Sequence, residues 1–272
     1  MKQFMTFADK SLHADAMRLR SHTAHGHPPL TTGHWPLLAL CLFPFAIFGQ
    51  TAQEIVEKSD AARNLTQPFR MGMRITNFED AKQKDQGGFE VMVSGRDKAL
   101  VKFVSGRDKG NYVLMAGDDM WIYIPNTRKP IRITPVQRLM GEASNGDVAR
   151  TNYSQDYDAS LLGEETLDGA ACWKLELKAK SKGATYHRII FWVERQTYLP
   201  KCADFYLISG KFYKTARFEK FENLGFTSRF LTRTVLVDRL RPGRTTLMEY
   251  FDVKPADLPD KYFNKNFLPQ IR

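Results

Sequence analysis

From Phe69 onward the chain alternates apolar and polar residues with a period of two, in one short segment after another, and that repetition sets the fold class. FRMGMRITNF, GGFEVMVS, ALVKFVS, NYVLMAG, DDMWIYIP and PIRITP come first. ACWKLELKAK, HRIIFWVE, KCADFYLIS, KFYKTARFEKF, LTRTVLVDRL and TTLMEYFDV follow. Each is rich in β-branched or aromatic residues and bounded by Gly, Asp, Asn or Pro. No helices alternate with them, so the expected architecture is mostly β, a single antiparallel sheet of about eleven strands. Helical signals are confined to three places. Thr51 and Glu54 have capping-box spacing, with Ile55, Val56, Ser59 and Ala62 on one face of the helix that follows. Residues 136–160 lose the strand pattern and read as one or two short helices in a long excursion. The tail DLPDKYFNKNFL reads as a turn with a short helix or extended cover. No linker rich in Pro, Gly or Ser divides residues 50–272, which read as one domain.

The first 49 residues differ in kind. The run WPLLALCLFPFAIFG, residues 35–49, is interrupted by Pro36 and Pro44. It is shorter than the ~20 apolar residues of a bilayer span. Basic residues ahead of it, its apolar middle and the polar QTAQ after it match a secretory signal peptide cleaved after Gly49, with Met17 as an alternative start. An exported, periplasmic protein is expected. The formal charge of the whole chain is +10; Lys2, Lys10, Arg18 and Arg20 less Asp9 and Asp15 account for +2 of it, leaving +8 beyond residue 50. Such a balance favours anionic partners, although a solvated basic surface is the plainer reading. Export makes a disulfide conceivable between Cys172 and Cys202. One strand separates them in the expected meander, which puts them ~9.6 Å apart. That exceeds the ~7 Å limit for bridging, so both are expected as free thiols.

The pentapeptide SGRDK occurs twice, from Ser94 and from Ser105. The two copies flank the segment ALVKFVS, and consecutive turns of a meander lie at opposite ends of the strand between them. A strand of ~7 residues spans ~23 Å, so the copies cannot form one anion site. They are two turns.

Catalytic signals are missing. Beyond residue 49 there is one histidine, His187, and no residue set has zinc-ligand spacing. No phosphate-binding glycine loop follows a strand. Asp118 and Asp119 fall in an expected hairpin turn, and Asp156 and Asp158 have neither a partner base nor a metal set. Neither an enzyme nor a cofactor is expected. Apolar residues, by contrast, are in surplus. Pairing NYVLMAG with DDMWIYIP sets Leu114 against Trp121 and Tyr112 against Tyr123 on one face, with Val113 against Ile122 and Met115 against Met120 on the other. HRIIFWVE is likewise apolar on both sides. These strands are either covered on both faces or line a hollow on one.

GNYVLMAGDDMWIYIPNTRKPIRI resembles a stretch of LolA-like outer-membrane lipoprotein-sorting proteins, in which a strand passes through a short acidic turn into a Trp- and Tyr-bearing strand. RLMGEASNGDVARTNYSQDYDASLLGEETLDGAACWKLEL, HRIIFWVERQTYLPKCADFYLISGKFYKTARF and DLPDKYFNKNFLPQ are similar to later parts of the same family. The resemblance covers essentially all of residues 50–272. It implies an incomplete antiparallel β-barrel, a half-barrel curved around an apolar hollow and lidded by helices. In the family's best-known members that hollow carries lipoprotein acyl chains without chemistry. On this basis Ile55 and Val56 would sit on the lid helix, and Val113, Met115, Met120, Ile122, Ile124 and Phe191 would line the hollow. The family's buried basic residue near the first strands, which holds the lid closed, would be Arg70 or Arg74.

The functional expectation is therefore a periplasmic carrier of lipoprotein acyl chains or another hydrophobic cargo. It would be a monomer, exchanging cargo with an inner-membrane transporter or an outer-membrane acceptor, and would not bind nucleic acid. The alternative is a non-catalytic adaptor subunit docked on an inner-membrane transporter.

Overall fold

The computed structural model describes residues 50–125, 127 and 129–271. The expected signal segment lies outside them. Helix α1 (Ala52–Asp60) begins at the expected capping box. The Glu54 amide donates to the Thr51 hydroxyl at 3.2 Å, and the Thr51 amide to the Glu54 carboxylate at 3.0 Å. Ile55, Val56 and Ser59 form its buried face.

Six strands then follow in an antiparallel meander: β1 (Phe69–Glu79), β2 (Lys82–Ser94), β3 (Lys98–Phe103), β4 (Tyr112–Ala116), β5 (Asp119–Tyr123) and β6 (Ile131–Ile133). The long excursion contains a small hairpin, β7 (Arg138–Met140) and β8 (Ala143–Ser144), and two short helices, α2 (Asn145–Ala149) and α3 (Tyr153–Asp156). A second meander comprises β9 (Tyr157–Leu167), β10 (Ala170–Ala179), β11 (Arg188–Glu194), β12 (Pro200–Tyr206), β13 (Phe212–Glu222), β14 (Phe230–Asp238) and β15 (Arg244–Pro255). Pairing of β1 with β15 fuses the two meanders into one 13-stranded antiparallel sheet. The sheet does not close into a barrel; β6 and β9 are its edges.

The expected strand pairings hold: Leu114 faces Trp121, Tyr112 faces Tyr123, Val113 faces Ile122 and Met115 faces Met120. The two SGRDK copies are the β2–β3 turn and the β3–β4 loop, with Gly95 and Gly106 at φ of +68° and +89°, where glycine alone is unstrained. Cys172 and Cys202 are free, on strands separated by β11. Two differences from expectation concern strand extent. β9 was not anticipated, because an edge strand exposed on both faces does not alternate. β2 begins at Lys82 rather than at Gly87, since its first residues are polar and exposed on both sides.

Two sectors of the sheet are buried on both faces, β3–β5 and the part of β10–β12 around an outer cluster of Cys172, Ile190 and Trp192, and this accounts for the surplus of apolar residues. On the inner face, alternate residues of every long central strand converge on one core: Met73 and Ile75 of β1, Val113 and Met115 of β4, and Phe191 and Val193 of β11 are at most 2% exposed. Helix α1 and the excursion pack into this same core through Ile55, Val56, Val148 and Tyr153. On the outer face, Leu100, Tyr112 and Leu114 are covered by Phe263 and Leu268 of the two terminal 3-10 turns, Asp260–Phe263 and Lys265–Gln270. The tail is thus a cover, as expected.

Candidate binding site

The excursion is a plug. Although GEASNGDVARTNYSQDY is mostly polar, most of its residues are buried, and polar groups can be buried at that density only if they are paired. Four sets of contacts do this. First, Lys214 of β13 points inward, fully buried, and its ammonium donates to the Glu142 carbonyl at 2.6 Å, to the Ser144 hydroxyl at 3.3 Å and to the Asp147 carboxylate. The Tyr186 hydroxyl donates to the other Asp147 oxygen at 2.7 Å. Burial lowers the Lys214 pKa against the pull of Asp147, and burial raises that of Tyr186. Second, Glu142 and Asp238, both nearly inaccessible, share Arg241 at 3.2 and 2.9 Å, and Arg138 also bonds Glu142 at 2.9 Å. Third, Arg150 grips both oxygens of Asp156 at 2.6 and 3.0 Å and reaches Asp118 at 3.3 Å and the Gly117 carbonyl at 2.8 Å. Two of the four acidic residues noted in the sequence, Asp118 and Asp156, thus meet through a buried arginine, whereas Asp119 pairs with Arg132 and Asp158 with Lys180. Fourth, the Asp60 carboxylate at the end of α1 accepts the amides of Tyr153 at 3.2 Å and Ser154 at 2.8 Å, and pairs with Arg63.

Between the plug and the sheet, beside Arg63, lies a cavity of about 40 Å³. Its wall is mainly apolar, with Phe69, Met71, Phe218, Phe230, Leu236 and Met248 prominent. Arg63 and Tyr153 also border it, with the Arg63 guanidinium 3.8 Å from the Tyr153 ring centroid. Burial pushes the Tyr153 hydroxyl up to about 12. Among the described residues three buried side-chain polar atoms lack a hydrogen-bond partner, and two of them, Arg63 Nε and Thr234 Oγ1, belong to residues of this wall. The volume holds no more than a water or two and is far below the ~300–1,000 Å³ of a ligand pocket.

A family model described as an uncharacterized protein matches residues 95–270. The fold matches the crystal structure of a LolA superfamily protein from Nitrosomonas europaea with a TM-score of 0.76 and 34% identity, over 80% of this chain and 100% of that one. This chain belongs to the LolA superfamily. Two more distant structures share its fold. One is an outer membrane lipoprotein-sorting protein domain from Vibrio parahaemolyticus (TM-score 0.69, 21% identity, 80% and 98% covered). The other is a DUF1329 family protein from Desulfovibrio piger (0.67, 24%, 80% and 97%). Among curated proteins none matches.

Within this LolA-superfamily half-barrel the expected site residues are distributed as follows. Ile55 and Val56 are on the inner face of α1, and Val113, Met115, Met120 and Phe191 are buried in the inner core. Ile122 is partly buried against that core. Ile124 lies past the end of β5 and is 37% exposed, so it is not on the inner face. None of the eight borders the remaining cavity, which is centred on β1 and β12–β15. The reason is local: α2 packs against β2, β3 and β4 and fills the sector where the hollow was expected.

The lid-holding arginines also need correction. Arg70 and Arg74 occupy outward positions of β1, with side chains 48% and 49% exposed, and face Glu90 and Glu249 at 3.9 and 3.6 Å. Alternation with the inward Met71 and Met73 forces them there. The buried basic residue next to α1 is Arg63. The sequence carried a signal for the other anchor: Lys214 falls in register with the inward residues Ala216 and Phe218 of its strand.

Proposed function

We propose that this LolA-superfamily protein is a periplasmic carrier that binds acyl chains of a lipoprotein or another lipid in the space now filled by the plug, and passes them to a membrane partner. The observation that carries this reading is a continuous apolar inner face closed by α1 and the plug rather than by strands of the sheet. Each buried methylene would contribute ~0.8 kcal/mol, giving affinity with little chemical discrimination. Binding requires the plug to move, because the closed cavity is only about 40 Å³. The unpaired Arg63 Nε and Thr234 Oγ1 would meet an acceptor at the polar end of a cargo.

The same small volume favours a second reading, an adaptor subunit that docks on a transporter and holds no cargo. Native mass spectrometry of the exported protein, with organic extraction of the same sample, separates the two. A co-purifying lipid or acylated peptide supports the carrier. A cargo-free mass that persists after incubation with lipids leaves the adaptor.

A further inference from the structure

Strict antiparallel alternation assigns every hairpin connection to one of two ends of the sheet. At one end lie the turn 80–81 and the loops 104–111, 124–130, 180–187, 207–211 and 239–243. At the other lie 95–97, 117–118, 168–169, 195–199 and 223–229. Among the described residues the first set holds eight Lys and Arg against two Asp, and the second three Arg against three Asp. Among the described residues of these connections, the excess of positive charge therefore lies on one rim. Arg241 is engaged by Asp238 and Glu142, and Lys180 by the Ser154 carbonyl and Asp158. Arg107, Lys109, Lys129, Lys182 and Lys211 are exposed.

The same rim exposes apolar side chains. Ile208, at the tip of the β12–β13 loop, is 86% exposed, the highest value among the exposed large hydrophobic residues. Val104, Ile124 and Leu240 are exposed in other loops of this rim, and Ile131 at the first position of β6 beside it. Only Phe226 of the opposite loops is an exposed large hydrophobic among the described residues. Beneath Ile208 lies an open depression of about 620 Å³, formed by the loops 180–187 and 207–211, with Ala184 and Leu207 in its wall and Lys180, Lys182 and His187 around it. Protruding apolar tips set among cations are the pattern of a surface that enters a lipid interface, where the tips lie at the acyl boundary and the cations meet anionic headgroups.

We propose that this rim, led by Ile208, Lys182 and Lys211, docks the protein on an anionic membrane surface. The second SGRDK copy belongs to the docking rim and the first to the neutral end, so two identical pentapeptides serve different surroundings. The charge excess selects anionic lipid over zwitterionic lipid, and the tips add affinity that salt does not screen.

The test is co-sedimentation of the full chain, exported and purified from a Gram-negative host, with phosphatidylglycerol-containing vesicles and with pure phosphatidylcholine vesicles. The expected result is binding to the first only, weakened by salt. The double substitution Lys182→Glu/Lys211→Glu should weaken it more than tenfold, about the effect of two lost surface cations and two added anions. Ile208→Ser should weaken it severalfold, and Arg229→Glu at the opposite end should leave it unchanged. All these positions are exposed, so circular dichroism should confirm intact folding. Equal binding by the rim variants and the parent would overturn the proposal. So would an absence of affinity for any protein-free vesicle, the outcome expected if the rim recognises an acidic protein face.

Discussion

The ammonium of Lys214, on strand β13, donates to the main-chain carbonyl of Glu142, in the plug, at 2.6 Å across 72 positions of sequence. The same ammonium pairs with Asp147, so one buried side chain holds both the hairpin and the helix of the plug. Replacing Lys214 with Met should therefore leave the Asp147 charge buried without its counter-ion and cost ~3–5 kcal/mol. Adding Asp147→Asn should recover much of that loss. Urea denaturation of the single and double variants measures both; a single variant as stable as the parent would remove the anchor from the account.

Lys214 also sets a pH dependence. Burial holds its folded pKa below the ordinary lysine value. The unfolded chain therefore binds this proton more tightly than the folded chain, and the residue's share of stability grows as pH rises toward ~10.4. It is lost again as pH falls through the depressed folded value. Unfolding free energies measured across the alkaline range should rise more steeply in the parent than in Lys214→Met, and parallel curves would contradict this.

Gly146, in α2, leaves no space for a side chain: a Cβ there would lie 2.8 Å from Cβ of Thr185. Gly146→Ala should push the plug away from the β10–β11 loop. The expected outcome is lower stability together with faster uptake of a hydrophobic fluorescent probe. Stopped-flow fluorescence distinguishes this from simple destabilisation, which would change uptake only in proportion to the unfolded fraction.

Thr234 and Thr246 make a contrasting pair. Thr234 Oγ1 is buried without a partner, whereas the Thr246 hydroxyl donates to Asn77 at 2.8 Å and accepts the Glu142 amide at 2.9 Å. Thr234→Val should be neutral or stabilising by up to ~1 kcal/mol, and Thr246→Val should cost ~1–3 kcal/mol by stranding its partners. Thermal denaturation of the two variants, read side by side, checks the sign of each.

The thiols offer a direct chemical readout. Cys172 is fully buried, and burial pushes the Cys202 thiol up to about 12. In weakly alkaline buffer neither should react with a disulfide reagent such as Ellman's until the chain is unfolded, when both should react at once. Rapid labelling of the native protein would show that the outer cluster of Cys172, Ile190 and Trp192 opens on its own.

The sheet was legible because its inner and outer residues differ in polarity. Met73 beside Arg74 announces a strand and its facing. The edge strand β9 was not, since Ser160, Leu161 and Leu162 are all exposed and nothing in their order marks a buried face. The plug escaped for the opposite reason. Glu142, Asp147 and Arg150 read as solvated, and only their partners, Lys214, Arg241, Asp156 and Asp118, explain how they can be buried. Those partners lie up to 99 positions away, beyond the reach of local pattern. The apolar residues of β4 and β5 do not border the cavity for the same reason, because α2 packs against β2, β3 and β4.

The seam between β1 and β15 orders events in time. Within each meander every strand pairs with a neighbour close in sequence, but Phe69 pairs with Pro255 and Ile75 with Met248. Closing so long a loop is the slow, entropically costly step of forming such a sheet. A chain delivered N-terminus first can fold β1–β6 as hairpins, yet β1 keeps an open edge until the final strand arrives. The plug waits as well, since Lys214, Asp238 and Arg241 all follow it in the sequence. The apolar inner face therefore stays uncovered until nearly the whole polypeptide has emerged, and the interval before β15 docks is when the chain is most exposed to aggregation and proteolysis.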